Sequence, residues 1–361
     1  MMTRRLKSLT GLFAGILLVT TLSACGSEGS DQAGGGGLDT VTFALSAPSW
    51  NAGYTTLVVP EAEGYFKDEG LDVKVNLFPS GTQSAQQLAA GGADIGLMTG
   101  EPVAIGHAKN LGLVYFASYY PHWIYSLELP QGSAVKSVAD LKGKKIGVTA
   151  VASSGGTFAR TAIKLNGMGE NDAALVPIGA GAQQINAIKS GQVDALALWD
   201  TQYAIVEDAG IALTPLPVPQ TAGIWGGGFA ATRKTIDEKK DVLERFGRAI
   251  AKGFAFAQAN PEAAIRDLWK LHPETRGSGP EEDAMASQVK ILKVRLADQG
   301  VEDKNWGRID PKAATGMVEF MASAGLVDKA FPATEIYTSD LLKAINDFSY
   351  DDIRKQAKDA S

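Results

Sequence analysis

The chain reads as an α/β protein of two lobes, each a parallel-rich sheet flanked by helices, with a helical C-terminal tail packed on the first lobe. Three observations predict this. Short apolar strand-like runs alternate with helical runs from Val41 to Leu216, which is the pattern of parallel sheets with helices on their faces. Part of that pattern repeats at an offset of 100 residues. After Arg233 the chain turns to helix upon helix, with no strand set of its own.

The elements follow in order. Arg4, Arg5 and Lys7 precede an apolar stretch, 9–22, and then Ser23-Ala24-Cys25. A basic head, a short apolar run and small residues make a secretory signal, and the run falls short of the roughly 20 residues that span a bilayer. Leu22-Ser23-Ala24-Cys25 resembles the lipobox of bacterial lipoproteins, which implies that Cys25 becomes the lipidated (palmitate-bearing) first residue of the mature protein. Arg4-Arg5 is too small a part of a twin-arginine signal to choose the export route. Residues 26–39, with four consecutive glycines, read as a flexible tether of roughly 20 Å typical span.

In the first lobe, Val41–Ala47, Leu71–Phe78, Ala93–Thr99 and Leu113–Tyr120 are expected strands. Thr55–Asp68, Gln83–Ala90 and Glu101–Asn110 are expected helices. In the second, Lys145–Ala150, Ala173–Gly179, Asp194–Trp199 and Ile211–Leu216 are strands. Gly155–Asn166, Gln183–Ser190 and Thr201–Ala209 are helices. In the tail, Asn260-Pro261-Glu262 and Asp310-Pro311 each place an N-cap before a proline at the first helical position, and Thr338–Lys358 reads as a terminal helix. The expected division is 1–24 signal peptide, 25–39 tether, 40–128 first lobe, 129–231 second lobe and 232–361 return to the first lobe.

The repeat pairs Gly81 with Gly181, Gln83 with Gln183, Gly91 with Gly191 and Asp94 with Asp194. It predicts that Thr99–Pro102 and Trp199–Gln202 leave equivalent strand ends, where open parallel sheets bind ligands. Two such ends facing each other form a cleft.

Composition narrows the function. Without residues 1–24 the chain has 31 Lys and Arg against 40 Asp and Glu, a net charge of −9, which argues against a nucleic-acid partner. Cys25 is the one cysteine, and His107, His122 and His272 lack metal-ligand spacing. No metal, cofactor or catalytic residue is expected, and the chain is not expected to be an enzyme.

Glu63-Gly64-Tyr65-Phe66, Glu69-Gly70-Leu71-Asp72-Val73, Gly91-Gly92-Ala93-Asp94 with Gly100-Glu101-Pro102, the 140–148 run and the 190–195 run together resemble the solute-binding receptors of nitrate, sulfonate and taurine importers. Relatives of that group make or bind the pyrimidine precursor of thiamine. The resemblance implies a type 2 periplasmic-binding-protein fold, closing on a small-molecule solute and delivering it to an ABC permease with its ATPase. It also implies a monomer, anchored by lipid to the outer face of the cell membrane. Crossings between lobes would fall near Ser126–Pro130 and Gly226–Thr232, with Gly226-Gly227-Gly228 absorbing a hinge change. The pyrimidine-forming branch depends on a histidine and a cysteine-rich segment, and no such segment exists here. A sensor presenting its closed form to a signalling partner is a further alternative.

The candidate ligand-binding residues fall in the expected strand-end loops. Trp50, Tyr54, Tyr119, Tyr120, Trp123, Trp199 and Trp225 are either a stacking wall or core. Ser153, Ser154, Gly156 and Thr157 open a helix, and are either an anion seat or a plain N-cap. Ser49, Asn51, Ser80, Gln83 and Thr99 suit ligand hydrogen bonds or turns. Glu101 and Asp200 either face the cleft, and then favour a ligand with N–H donors or a cation, or serve the first turns of their helices. Asp94 and Asp194 are expected to brace turns, His122 to sit in a loop, and Trp269 and Trp306 to be structural. The solute is a sulfonate or taurine-like compound, or an aromatic or pyrimidine-like one.

Overall fold

A computed structural model describes residues 37–298 and 304–360. The signal segment, Cys25 and most of the tether lie outside the described residues. Strand β1 (Asp39–Ser46) is followed by a 3-10 turn (Ala52–Tyr54), α1 (Thr55–Ala62), α2 (Tyr65–Asp68), β2 (Leu71–Phe78) and α3 (Gly81–Ala89). Then come β3 (Ile95–Thr99), α4 (Gly100–Ala108) and β4 (Leu113–Tyr120). The second set is β5 (Tyr125–Pro130), β6 (Lys145–Val148), α5 (Ser154–Leu165), β7 (Ala174–Pro177), α6 (Ala182–Lys189), β8 (Ala195–Trp199), α7 (Asp200–Asp208) and β9 (Leu213–Leu216). Strand β10 (Gly227–Thr232) precedes the tail helices α8 (Arg233–Glu238), α9 (Lys240–Ala259), α10 (Pro261–Leu271), α11 (Glu281–Asp298), α12 (Pro311–Ser323), α13 (Leu342–Ile345) and α14 (Tyr350–Asp359).

The strands form two five-stranded sheets of one plan, β2-β1-β3-β10-β4 and β7-β6-β8-β5-β9. In each, the first three strands listed run parallel, and the fourth is antiparallel to both neighbours. That fourth strand is in both cases the first one the chain lays down after changing sheets. This corrects the expected crossings. Ser126–Pro130 belongs to β5 and 227–232 to β10, so the chain passes between sheets at 121–124 and 217–226. It also means that neither sheet is all parallel. Gly228 serves close strand packing, since a Cβ there would stand 2.1 Å from the carbonyl oxygen of Ala117.

The repeat is structural. β3 and α4 span 95–99 and 100–108, and β8 and α7 span 195–199 and 200–208. Asp94 accepts the backbone N–H of Thr42 at 2.9 Å and Asp194 that of Lys145 at 2.8 Å. Asp94 therefore braces the middle of β1 and Asp194 the start of β6, rather than their own turns.

The central strands β3 and β8, and β4 at the edge of the first sheet, are buried along their whole length, because helices cover both faces. On one face of the first sheet, Phe43, Phe229 and Phe246 pack with α1 and α9; on the other, Met98, Tyr115 and Trp225 pack with α4 and α12. The tail thus sandwiches the first sheet. Glu69, just before β2, ties it to α9 through Arg248 at 2.9 Å and Lys252 at 2.6 Å. Asn260 and Asp310 cap their helices as expected, and the terminal helix is interrupted between α13 and α14. Helix α11 differs from its neighbours by also packing against α7 of the second lobe.

Candidate functional site

Four helix starts converge on one cavity between the sheets. Ser80, Thr99, Ser153 and Trp199 are the N-cap residues of α3, α4, α5 and α7, and all four line it. Ser80 and Ser153 accept backbone N–H bonds of their own helices, from Gln83 at 3.3 Å and Gly156 at 3.2 Å. Helix starts present free N–H groups and the positive end of the macrodipole, so four of them make a field that favours an acceptor or an anion. The rest of the lining includes Ser46, Thr149 and Ser154, with Tyr54, Tyr120 and Tyr125 beside Trp199 as an aromatic wall. Among the described residues, none that lines it is charged.

The lobes meet over this cavity, whose volume is about 30 Å³, room for about one water. Thr99 Oγ1 donates to Ser154 Oγ at 3.1 Å across the cleft. Thr201 of α7 rests on Gly53, where a Cβ would stand 2.6 Å from its hydroxyl oxygen. Lys164 of α5 donates to the carbonyl of Ala324, past the end of α12, at 2.9 Å. A second cavity of about 850 Å³ lies where both crossings meet the tail, beside His122, Gly223, Arg308 and Lys312.

The two carboxylates expected at the cleft have different fates. Glu101 is 3% exposed and sits behind the lining, with no hydrogen bond of normal geometry to either oxygen. Burial raises its pKa, and the nearby hydroxyls of Ser154 and Thr99 oppose the rise only in part. Asp200 serves the first turn of α7, accepting the Thr201 N–H at 2.7 Å, and also pairs with Arg295 of α11. Burial works against the charge of Arg295, but Asp200 and the phenols of Tyr120, Tyr119 and Tyr54 hold its pKa above the ordinary value.

Of the residues singled out from sequence, Tyr54, Ser80, Thr99, Tyr120, Ser153, Ser154 and Trp199 come together in the lining. The others lie elsewhere. Ser49 is exposed. Trp50 stacks on His272, 4.5 Å between ring centres, and Asn51 caps the 52–54 turn. Gln83 is exposed on α3, and Gly156 and Thr157 are inside the first turn of α5. The Tyr119 hydroxyl bonds that of Thr56 at 2.7 Å. Trp225 is fully buried, its indole N–H on Ser118 Oγ at 2.9 Å and its ring edge-on to Tyr115. It is core because β10 runs inside the first sheet, where a crossing was expected. Tyr125 and Thr149 were missed, the first because it opens a strand read as a crossing. Arg295 was missed because one arginine in a tail helix carries no signal of its buried partner.

Comparison with known proteins adds a lineage. The family described as NMT1/THI5 like matches residues 51–264. The riboflavin-binding protein RibY of Chloroflexus aurantiacus is 22% identical over 311 residues, 84% of this chain and 86% of that one. The formylaminopyrimidine-binding protein of Halalkalibacterium halodurans is 26% identical over 264 residues, 70% and 76% of the two chains. Among solved structures, the alkanesulfonate-binding protein SsuA of Xanthomonas axonopodis pv. citri, bound to MOPS, superposes with a TM-score of 0.59 at 17% identity, over 84% of this chain and 99% of that one. The fold is that of the periplasmic binding proteins.

Proposed function

The chain belongs to the NMT1/THI5-like family, and from that premise we propose that it is the solute-binding receptor of an ABC importer, capturing a flat organic solute with an acceptor-rich or anionic edge. The convergence of four helix starts on an aromatic-walled cavity carries this reading. The helix starts take the solute's acceptor edge, and Tyr54, Tyr120, Tyr125 and Trp199 stack on its planar body. Closure brings Thr99 to Ser154 and excludes water. Asp200, neutralised by Arg295, does not repel an anion, and Glu101 lies behind the wall. The lining matches an aromatic sulfonate or carboxylate, or a pyrimidine with ring acceptors, admitted when the lobes part, since the closed cavity holds about one water; a bare nitrate leaves its aromatic wall unused.

The lobes are 38–120 with 227–360, and 125–216, moving about the crossings at 121–124 and 217–226. Cys25 carries the lipid, and the glycine-rich tether holds a monomeric receptor at the outer membrane face beside the permease and its ATPase. Binding without reaction is favoured over pyrimidine synthesis because, among the described residues, no histidine, cysteine, lysine or carboxylate lines the cavity, and these are the usual proton carriers and nucleophiles.

The test is titration of the mature domain, by tryptophan fluorescence and calorimetry, with taurine, alkanesulfonates, nitrate, aromatic carboxylates, aminopyrimidines and riboflavin. Saturable binding of a planar member is expected. Saturation by nitrate alone, or release of a chemically changed product, would overturn the reading.

A further inference from the structure

Arg295 touches both lobes at once. Its helix, α11, packs on α9, α10 and the 52–54 turn, and Leu292 and Leu296 join the core beneath the first sheet. Yet its guanidinium pairs with Asp200, the first residue of α7 in the second lobe and next in sequence to Trp199 of the cavity wall. The same guanidinium lies 4.8 Å from the ring centre of Tyr120, a wall residue at the end of β4. Arg295 is 1% exposed, and its Nε and Nη1 make no hydrogen bond. Its hold therefore rests on the ion pair and on the aromatic face. A second contact, Ser287 donating to Asp208 at 2.5 Å, joins the same helices. The two contacts are eight residues apart on each helix and in opposite order, so α11 and α7 lie side by side and antiparallel.

We propose that Arg295 is a positioning residue that couples the aromatic wall of the cavity to lobe closure. The inference rests on the receptor reading for its purpose, but not for its test. With α11 held on the first lobe, opening draws Asp200 away from Arg295 and returns both charges to water. Closure buries them together and sets Trp199 against Tyr120. If Arg295 is replaced by an apolar residue, closure buries the Asp200 carboxylate without that cation, and a buried charge that loses its counter-charge is strongly unfavourable. If both are neutral, the obstacle disappears.

The experiment measures the interlobe distance by paired spin labels at Gln86→Cys on α3 and Asn186→Cys on α6, both exposed, in a Cys25→Ser chain in buffer alone. The chain with Arg295 and Asp200 is expected to populate a closed component. Arg295→Met is expected to reduce it by at least about tenfold, and Arg295→Met with Asp200→Asn to restore it. Asp200→Asn alone, which leaves Arg295 buried, is expected to open the chain as well and serves if Arg295→Met does not fold. A role confined to stability would lower the melting temperature and leave the distances unchanged. Unchanged distances, a double variant as open as the single, or no closed component in the starting chain would each overturn the proposal. A chain that follows the expected order but binds no solute in the titration loses the receptor reading and keeps the coupling.

Discussion

Thr99 and Ser154 hydrogen-bond to each other at 3.1 Å from the starts of two helices that belong to different lobes. Ser154 is not the cap of its helix; Ser153 is. The neighbouring serines should therefore separate function from stability. Ser154→Ala is expected to weaken solute binding by about three- to tenfold with an unchanged melting temperature. Ser153→Ala should cost about 1 kcal/mol of stability. Calorimetric titration and thermal melts of both variants check this, and a stability loss in Ser154→Ala would count against the cross-cleft role.

Two tryptophans that look alike in sequence should behave oppositely. Trp199 lines the cavity, while Trp225 is sealed in the core against Tyr115 and Ser118. Trp225→Ala is expected to destabilise the fold by about 3–5 kcal/mol, with affinity retained in whatever remains folded. Trp199→Phe should keep the fold and lose most of the fluorescence change on binding. A Trp225→Ala chain of normal stability would refute the placement.

Why the fold was legible and the site only partly so follows from these residues. Alternation of β3, α4, β8 and α7 is written in local apolar runs and in turns such as Gly91 and Gly191, and their bounds repeat at offset 100. Strands β5 and β10 follow crossings, pair antiparallel and lack a continuous apolar run, with Ser126, Glu128 and Pro130 in one and Gly227, Gly228 and Thr232 in the other, so little local distinguishes them from linkers. Helix-start residues could be found because capping chemistry is local; hence Ser80, Thr99 and Ser153. Which aromatic faces the cleft depends on strand order, which placed Tyr120 and Tyr125 in the wall and Trp225 in the core. The Arg295–Asp200 pair joins residues 95 apart, a separation at which charge pattern along the chain says nothing.

Glu101 should impose a pH dependence on anion binding. Burial raises its carboxyl above the ordinary value, so it is neutral at low pH and ionises as pH rises through that raised pKa. The new charge stands behind Thr99 and Ser154, within the field that the helix starts offer an anion. Affinity for an aromatic sulfonate should therefore fall as pH rises, while affinity for a neutral planar solute changes little. Glu101→Gln should flatten the sulfonate curve, as read by titrations across the pH range in which the wild-type affinity falls. A wild-type curve that rises with pH would be incompatible with this placement.

Asp267 should govern part of the stability profile. It is 8% exposed, one oxygen lacks a hydrogen bond, and burial, with Glu63 nearby, raises its pKa to about 7. In the unfolded chain the value is about 3.9. The folded form therefore binds the proton more tightly, and stability present in full below about pH 4 is lost as pH rises to about 7. Asp267→Asn should be more stable than the parent at pH 8 and show a shallower decline, measured by urea unfolding across that range. Equal slopes in the two chains would exclude the assignment.

Gly53 and Thr201 should control how far the lobes close. The 52–54 turn belongs to the first lobe and α7 to the second, and a Cβ on Gly53 would stand 2.6 Å from Thr201 Oγ1 and 2.9 Å from its Cβ. Real side chains do not tolerate such contacts, so a larger residue at 53 must push α7 away. The Asn51 side chain, which accepts the Gly53 N–H at 2.9 Å, fixes the turn and leaves it little room to yield. Gly53→Val is therefore expected to hold the cleft ajar, with a loss of affinity of at least about tenfold from incomplete desolvation of the site. The unfolding midpoint should change little if the lobes yield as rigid bodies about their crossings. Thr201→Gly in the Gly53→Val chain removes both opposing atoms and should recover part of the affinity, whereas Thr201→Gly alone should weaken α7 by roughly 0.3 kcal/mol and leave the buried Trp199 indole N–H, which donates to Thr201 Oγ1 at 3.0 Å, without its acceptor at a further cost of about 1–3 kcal/mol. Recovery in the double variant distinguishes a spacer between lobes from a turn that has simply lost its shape, because damage to the turn would persist whatever occupies position 201.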